Sequence, residues 1–419
     1  MSKTQDVELR TRTKAFALRI ILLYVSLPKT TEAQMLGKQV LRAGTSVGAH
    51  YREAQRAKSE ADFISKIEGA LQELDETDMV NTPLLSVRDL KTYFFLDEGI
   101  VKAVDGVTFD VYPGQIFGIV GESGCGKSVT VKAVLRIVEP PGKIVNGEIL
   151  LNCKTGNEEC QFVDLVKLDV NGKEMRSIRG AEIALIPQEP MAAFSPVHTV
   201  GDQIIEAVML HQPVNKREAR KIALQMFKDV GIPMPEQRLD EYSWQLSGGL
   251  RQRAIIAMAL SCNPRLLIAD EPTTAVDVTT QAQVLRLLRR LQEERGAAII
   301  FITHDLSVIA QMASYVMVMY LGLVMEEGPV DDIFHSPHHP YTQALLRSIP
   351  SVHSTPRINL PTISGSIPHP FNKPSGCPFH PRCAKSMPGK CDTRTPALQP
   401  VGEKQLVSCF LYHDDEVAA

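Results

Sequence analysis

Through the first 80 positions, apolar residues recur at helical spacing. Phe16, Ile20, Tyr24 and Leu27 make one stripe, Leu36, Val40 and Val47 a second, and Phe63, Ile67, Leu71 and Leu74 a third. Intervals of three and four residues predict amphipathic helices. At Asn81-Thr82-Pro83 the pattern changes to short β-like runs, Leu84 to Val87, Val101 to Val104 and Val107 to Val111, punctuated by Asp105-Gly106 and Pro113-Gly114. Such pairs favour turns, so a domain boundary and a set of short strands are expected here. From Gln115 onward the apolar runs Ile116 to Val120, Leu266 to Ala269 and Ala298 to Ile302 are separated by long helical stretches. Uninterrupted apolar runs of this length predict buried parallel strands in an α/β fold. Between the first two lies a mainly helical region. Its segment Asn215 to Val230 sets Ile222, Met226, Phe227 and Val230 on one face, with Gly231 as a stop, and predicts an inserted helical subdomain. After about residue 335 the chain is rich in proline and poor in long periodic segments.

Composition narrows the function classes. The 419 residues suffice for two or three domains, each with its own core. A net charge of −3 gives no general attraction to nucleic acid or to acidic membrane. The apolar stretch Ala15 to Leu27 is interrupted by Arg19 and falls short of the roughly 20 residues of a spanning helix. It also lacks the small-residue cleavage site of a signal peptide, so a cytosolic chain is expected. Of eight cysteines, Cys125, Cys153, Cys160 and Cys262 are scattered, whereas Cys377, Cys383, Cys391 and Cys409 crowd the tail. In a reducing compartment that grouping favours a metal site over disulfides.

The clearest chemistry lies in Gly121-Glu122-Ser123-Gly124-Cys125-Gly126-Lys127-Ser128. It follows an apolar strand and precedes the helix-like run Val129 to Ile137, the context that a phosphate-binding P-loop requires. Glycines Gly121, Gly124 and Gly126 let the backbone fold tightly, so that the N–H groups from Ser123 through Val129 can surround a phosphate. Lys127 can reach the β and γ oxygens of ATP, and the Ser128 hydroxyl can ligate Mg²⁺. Downstream, the strand Leu266 to Ala269 delivers Asp270 and Glu271 at its carboxyl end, where open α/β sheets bind ligands. Asp270 is expected to hold the Mg²⁺ shell. Glu271 is expected to orient and polarise the water that attacks the γ-phosphate.

Leu246-Ser247-Gly248-Gly249-Leu250-Arg251-Gln252-Arg253 opens an apolar helix about twenty residues before Asp270 and resembles the signature of ABC ATPases. The resemblance implies that Ser247, Gly248 and Gly249 bind the γ-phosphate of ATP seated on an opposite subunit, so that activity requires a dimer. Gln188 in Ile186-Pro187-Gln188-Glu189-Pro190, Asp277 in Ala275-Val276-Asp277, and His304 after Thr303 match the family pattern in order. By that resemblance Gln188 contacts Mg²⁺ and senses the membrane subunits, Asp277 links the two ATP sites, and His304 bonds the γ-phosphate. Alignment of Ala103-Val104-Asp105-Gly106 with the family puts Phe94 at the adenine-stacking position, with Tyr93 the neighbouring alternative.

The tail sharpens the family. His339-Pro340-Tyr341-Thr342-Gln343-Ala344-Leu345-Leu346 resembles the C-terminal motif of the oligopeptide and dipeptide permease ATPases, an architecture that nickel importers share. The implied organisation is a truncated helical-bundle segment over residues 1–80, then an ABC nucleotide-binding domain over 84–335. This P-loop α/β domain has an antiparallel β subdomain and a helical subdomain at about 189–250. A cysteine-containing extension follows over 336–419. The implied function is an ATP-hydrolysing subunit that energises an ABC importer of di- or oligopeptides, or alternatively of nickel or another small solute, on the cytoplasmic face of the inner membrane. Its implied partners are a second ABC ATPase, two transmembrane permease subunits and an extracytoplasmic solute-binding protein, with no direct contact to nucleic acid. A non-transport ABC ATPase acting on nucleic acid is the competing class; the single ATPase domain and the permease-type tail speak against it.

The four tail thiols are enough to saturate a cubane iron–sulfur cluster or a tetrahedral Zn²⁺, and spacing alone does not separate the two. In the permease ATPases a similar set is associated with a [4Fe-4S] cluster, which the resemblance therefore implies here. Residues of about 10 to 77 do not match the permease ATPases. Arg12-Thr13-Lys14-Ala15-Phe16, Pro28-Lys29-Thr30-Thr31-Glu32 and Gly44-Thr45-Ser46-Val47-Gly48-Ala49 resemble a small four-helix-bundle family found with intervening sequences of ribosomal RNA genes. The third helix stops near Thr77 and the expected fourth is missing, so either another copy completes the bundle or, the favoured reading, the segment is a fusion remnant.

Overall fold

In a computed structural model, the structure describes residues 82–153, 161–189, 193–273, 278–348, 363, 365–402 and 404–412. The helical stripes expected before residue 80, the stretch Ala15 to Leu27, Cys160 and Asp277 lie outside the described residues. The chain divides into two units at Pro83 and Leu84.

Two sheets organise the second unit. Strands β1 (Leu85–Leu96), β2 (Gly99–Val111), β4 (Gly142–Cys153) and β5 (Gln161–Asp164) form an antiparallel sheet in the order β2-β1-β4-β5. Strand β3 (Ile116–Val120) leaves it for a second sheet with β6 (Ile183–Ile186), β7 (Leu266–Asp270), β8 (Ala298–Ile302), β9 (Tyr315–Tyr320), β10 (Leu323–Pro329), β11 (Gln399–Val401) and β12 (Gln405–Val407). Its order is β11-β12-β10-β9-β3-β8-β7-β6. Pairing is parallel from β6 through β7, β8 and β3 to β9, and antiparallel from β9 through β10 and β12 to β11.

The parallel strands are buried on both faces, as their apolar runs predict. Phe117, Ile119, Ile268, Ile300 and Ile302 point into one core with Leu85, Val87 and Leu90 of the antiparallel sheet. Ile116, Val120, Ala269, Phe301 and Val318 point into the other. That second core takes its cover from the helices Val200–His211, Lys216–Asp229 and Gly248–Leu260. It also takes Tyr341, Phe379 and Phe410 of the C-terminal extension. Alternate side chains of one five-residue strand thus serve two layers.

Local signals fix the helical subdomain. Asn215 caps Lys216–Asp229, and Glu218 returns the bond to the Asn215 N–H, completing a capping box. Gly231 follows at φ +71°, a backbone that glycine adopts freely. One expectation needs correction. Asp105-Gly106 does not end a strand: β2 runs through it, with Lys91 opposite Asp105 and Leu90 opposite Val107. Gly106, at φ +95°, is the extra residue of a bulge.

Candidate functional site

The four neighbouring strands β6, β7, β8 and β3 all end on one edge of the sheet, and each delivers a predicted site residue there. After β3 the chain turns through Gly121 to Gly126 into the helix Lys127–Val134. The turn needs its glycines. A Cβ on Gly121 would stand 2.2 Å from the Met319 carbonyl oxygen, and one on Gly126 would stand 2.3 Å from that of Ala103. Gly126 caps the helix without a side-chain bond, leaving first-turn amides to point into the loop. Lys127 is buried, and its Nζ donates to the carbonyls of Gly121 at 2.8 Å and Glu122 at 3.1 Å. Its charge is therefore folded inside the loop that would cradle a phosphate.

Ser128 and Asp270 meet across the sheet. The Ser128 hydroxyl donates to Asp270 Oδ1 at 2.9 Å, and Asp270 is buried at the end of β7. Burial pushes the Asp270 carboxyl up, against the pull of the Ser128 bond. A divalent cation would favour the ionised form. Two hard oxygen donors at this separation suit Mg²⁺. Glu271, the next residue, sits at φ +48° with its N–H bonded to the Ile302 carbonyl at 3.0 Å. That strained backbone turns its side chain toward two others. Gln188 Nε2, beyond β6, donates to Glu271 Oε2 at 3.1 Å, and His304 Nδ1, beyond β8, lies 3.4 Å from Oε1. Gln188, Glu271 and His304, spread over more than a hundred positions of sequence, thus form one cluster beside the Ser128–Asp270 pair.

The signature residues occupy a separate helix end. Ser247 caps Gly248–Leu260, its Oγ accepting the Leu250 N–H at 3.4 Å. Buried Arg251 donates to the carbonyls of Ser243 and Leu246 at 2.8 and 3.0 Å and fastens the approach to that helix. A Cβ on Gly248 would meet open space, so this position faces outward. The edge of the Phe94 ring lies against Gly142. Tyr93 instead bonds Asp105 Oδ1 at 2.6 Å, under the Lys102 ammonium.

Sequence reasoning missed two contacts to the phosphate loop from the C-terminal extension. The Glu122 N–H donates to the Tyr341 hydroxyl at 2.9 Å, and Arg382 grips the Glu122 carboxylate through both oxygens. Tyr341 lay in plain view within the tail motif; Arg382 carried no signal beyond its place beside Cys383. The four tail cysteines do converge. Cys377, Cys383, Cys391 and Cys409 line one cavity of about 20 Å³ with Met387 and Phe410, room for about one water-sized body. Burial pushes Cys377 up to about 12 and Cys409 up to about 11, and raises Cys383 too. Among the described residues, however, no group of three or more Cys, His, Asp or Glu is spaced to hold a metal ion. The expected iron–sulfur or zinc geometry is not formed there.

A P-loop beside a carboxylate pair, with a signature helix capped by serine and opened by two glycines, defines an ABC-type ATPase. Family models agree. The ABC transporter model matches residues 104–274, and the oligopeptide/dipeptide transporter C-terminal region matches 325–391. The 23S rRNA-intervening sequence protein model matches 5–90. A probable peptide ABC transporter ATP-binding protein of Sinorhizobium fredii is 45% identical over 78% of this chain and 94% of its own length. The oligopeptide transport ATP-binding protein AppD of Bacillus subtilis is 46% identical over 79% of this chain and 98% of its own. A dimeric ATP-binding cassette solved in a post-hydrolysis state with ADP and Pi superposes with a TM-score of 0.51 at 26% identity, covering 59% of this chain and 98% of that one. The chain belongs to the ATP-binding subunits of ABC transporters, in the group that carries the oligopeptide/dipeptide-type C-terminal region, and is an ATPase of that family.

Proposed function

We propose that this subunit hydrolyses ATP to drive the import of dipeptides or oligopeptides. The observation that carries the chemistry is the meeting of Gln188 and His304 on Glu271, next to the Ser128–Asp270 pair. Lys127 and the amides from Ser123 to Val129 bind the phosphates, Phe94 takes the adenine, and Ser128, Asp270 and Gln188 hold Mg²⁺. When bound, that ion neutralises phosphate charge. Glu271 aligns the attacking water, with its carboxylate oriented by Gln188 and His304; His304 then bonds the γ-phosphate. Ser247, Gly248 and Gly249, on an outward-facing helix end, close on ATP held by a second ATPase, and Asp277 couples the two sites. Phosphoryl transfer rewards this kind of positioning, since the protein forms no covalent bond with the phosphate.

Peptide as cargo rests on the names of the relatives and on the tail region they share. The inferred partners are a second ATPase, two membrane permeases and an external binding protein, with the subunit peripheral to the cytoplasmic face of the membrane. No helix among the described residues is long and apolar enough to cross a bilayer. The inferred domains are 84–335 for nucleotide and 336–419 for the extension, whose four thiols we infer to hold a [4Fe-4S] cluster or, alternatively, Zn²⁺. Convergence on one cavity supports a ligand there; the small volume means that the thiols must spread to admit a cubane. Residues 1–80 are inferred to be a fusion remnant, dispensable for hydrolysis.

The test is reconstitution with the membrane subunits in vesicles. A peptide-loaded binding protein should stimulate ATP hydrolysis and peptide uptake together, and stimulation by a different solute class but not by peptides would reject the cargo. Iron, sulfide and zinc analysis after anaerobic purification decides the thiol site.

A further inference from the structure

Glu122, the second residue of the phosphate loop, is held from a distance of more than 200 positions in sequence. Its N–H donates to the Tyr341 hydroxyl at 2.9 Å. Its carboxylate receives Arg382 Nη1 at 2.7 Å and Nη2 at 3.0 Å, and Nη1 also donates to the Tyr320 hydroxyl at 3.2 Å. The Arg382 side chain is only 4% exposed and that of Glu122 20%. Around this pair stand three rings. Tyr320 comes from β9, Tyr341 from the helix Pro340–Arg347, and Phe379 from the cysteine-bearing segment, with centroids 4.7 to 5.5 Å apart. The guanidinium lies 5.8 and 6.0 Å from the Tyr320 and Phe379 centroids.

We propose that Arg382 is a positioning residue of the nucleotide site: it neutralises Glu122 and holds the phosphate loop in the shape that receives ATP. The inference rests on the assignment of ATP to this loop. A carboxylate in the loop's second position stands among the groups that gather a polyanion. Left unpaired and poorly solvated, it would repel the triphosphate, and its repulsion would be little screened. A bidentate guanidinium removes that charge at fixed geometry, which a lysine cannot reproduce. The flanking rings of Tyr320 and Phe379 stand against the guanidinium. Tyr341 completes the grip by accepting the Glu122 N–H. The extension is thereby part of the nucleotide site, and Arg382 is peptide-bonded to Cys383, so a change at the thiol cavity has a short mechanical route to the loop.

Arg382→Met in the full chain removes the charge and keeps an unbranched side chain. Titration with a fluorescent ATP analogue and steady-state hydrolysis should show Kd and KM raised about tenfold, the scale of one charge-assisted pair, with kcat altered less than about twofold. Adding Glu122→Gln in the same background should recover most of the lost affinity, because the uncompensated charge is then gone. A purely structural arginine gives a lower melting temperature and no such recovery, and that result overturns the proposal, as does ATP affinity in Arg382→Met equal to wild type. If Arg382→Met does not fold, Arg382→Lys takes its place. It should weaken binding about threefold, again relieved by Glu122→Gln, and the absence of relief rejects the idea. Failure of the wild-type chain to bind the analogue would instead reject the nucleotide assignment itself.

Discussion

The nucleotide edge and the C-terminal extension meet on one loop but are built on opposite principles. At the nucleotide edge, polar side chains arrive from separate strands and bond one another across a gradient of exposure, from buried Asp270 to exposed His304: Ser128 to Asp270, and Gln188 and His304 to Glu271. In the extension, polar groups are sealed. Arg382 is nearly inaccessible, the Cys377 and Cys409 thiols are driven toward their neutral form by burial, and Tyr341 and Phe379 are packed from all sides. The first arrangement fits groups that exchange partners with a substrate; the second fits groups that hold a shape. Reactive chemistry and its scaffold are thus separated in sequence and joined at Glu122.

The sharpest way to test the division is to disable one side alone. Glu271→Gln keeps the volume and removes the negative charge that would polarise water. Turnover should fall about a hundred- to ten-thousandfold, the range of a positioned general base, with ATP binding and melting temperature kept. Hydrolysis at the wild-type rate would remove Glu271 from the mechanism. On the other side, Phe379→Ala deletes a ring that touches Tyr320, Tyr341 and His339. A cost of about 3 kcal/mol in unfolding free energy is expected for a buried phenyl ring. An unchanged denaturation midpoint would mean that the extension does not support the catalytic sheet.

The two regions also differ in how far the sequence discloses them. Phosphate chemistry tolerates few solutions, so Gly121 to Ser128, Ser247 to Gly249 and Asp270-Glu271 are recognisable as strings, and the flanking strands follow from unbroken apolar runs. The convergence of Gln188 and His304 on Glu271 needs the strand order β6-β7-β8, which no local pattern encodes. The pairing of β9 to β12 and the Arg382–Glu122 contact depend on non-local order in the same way. A contact across 260 positions leaves no periodicity behind. Asp105-Gly106 misled because a bulge and a turn use the same residues, and only the pairing partner tells them apart. Cysteine spacing indicated the shared cavity but could not supply ligand geometry, which depends on side-chain directions.

Adjacent residues on β10 carry the comparison down to a single peptide unit. Glu326 faces the extension and accepts the N–H groups of His338 at 2.7 Å and His339 at 3.0 Å. An amide in its place would keep one acceptor and present a donor to the other N–H, so Glu326→Gln should cost about 1–3 kcal/mol, read from chemical denaturation at pH 8.

Glu327 faces the antiparallel sheet, near Tyr315 and Asp110, with one oxygen unpartnered. Burial, then the Asp110 charge, pushes its carboxyl up to about 7 from an ordinary 4.5. The folded state therefore binds this proton more tightly than the unfolded chain does. Its stabilising effect is complete below pH 4.5 and is lost as pH rises through 7. Glu327→Gln, permanently neutral, should erase that part of the pH dependence. The difference in melting temperature, variant minus wild type, should grow from about pH 5 to pH 8 in favour of the variant. A difference flat across that window would show that Glu327 is ionised in the fold at the lower pH, and that the seam between β10 and the antiparallel sheet is wetter than its burial implies.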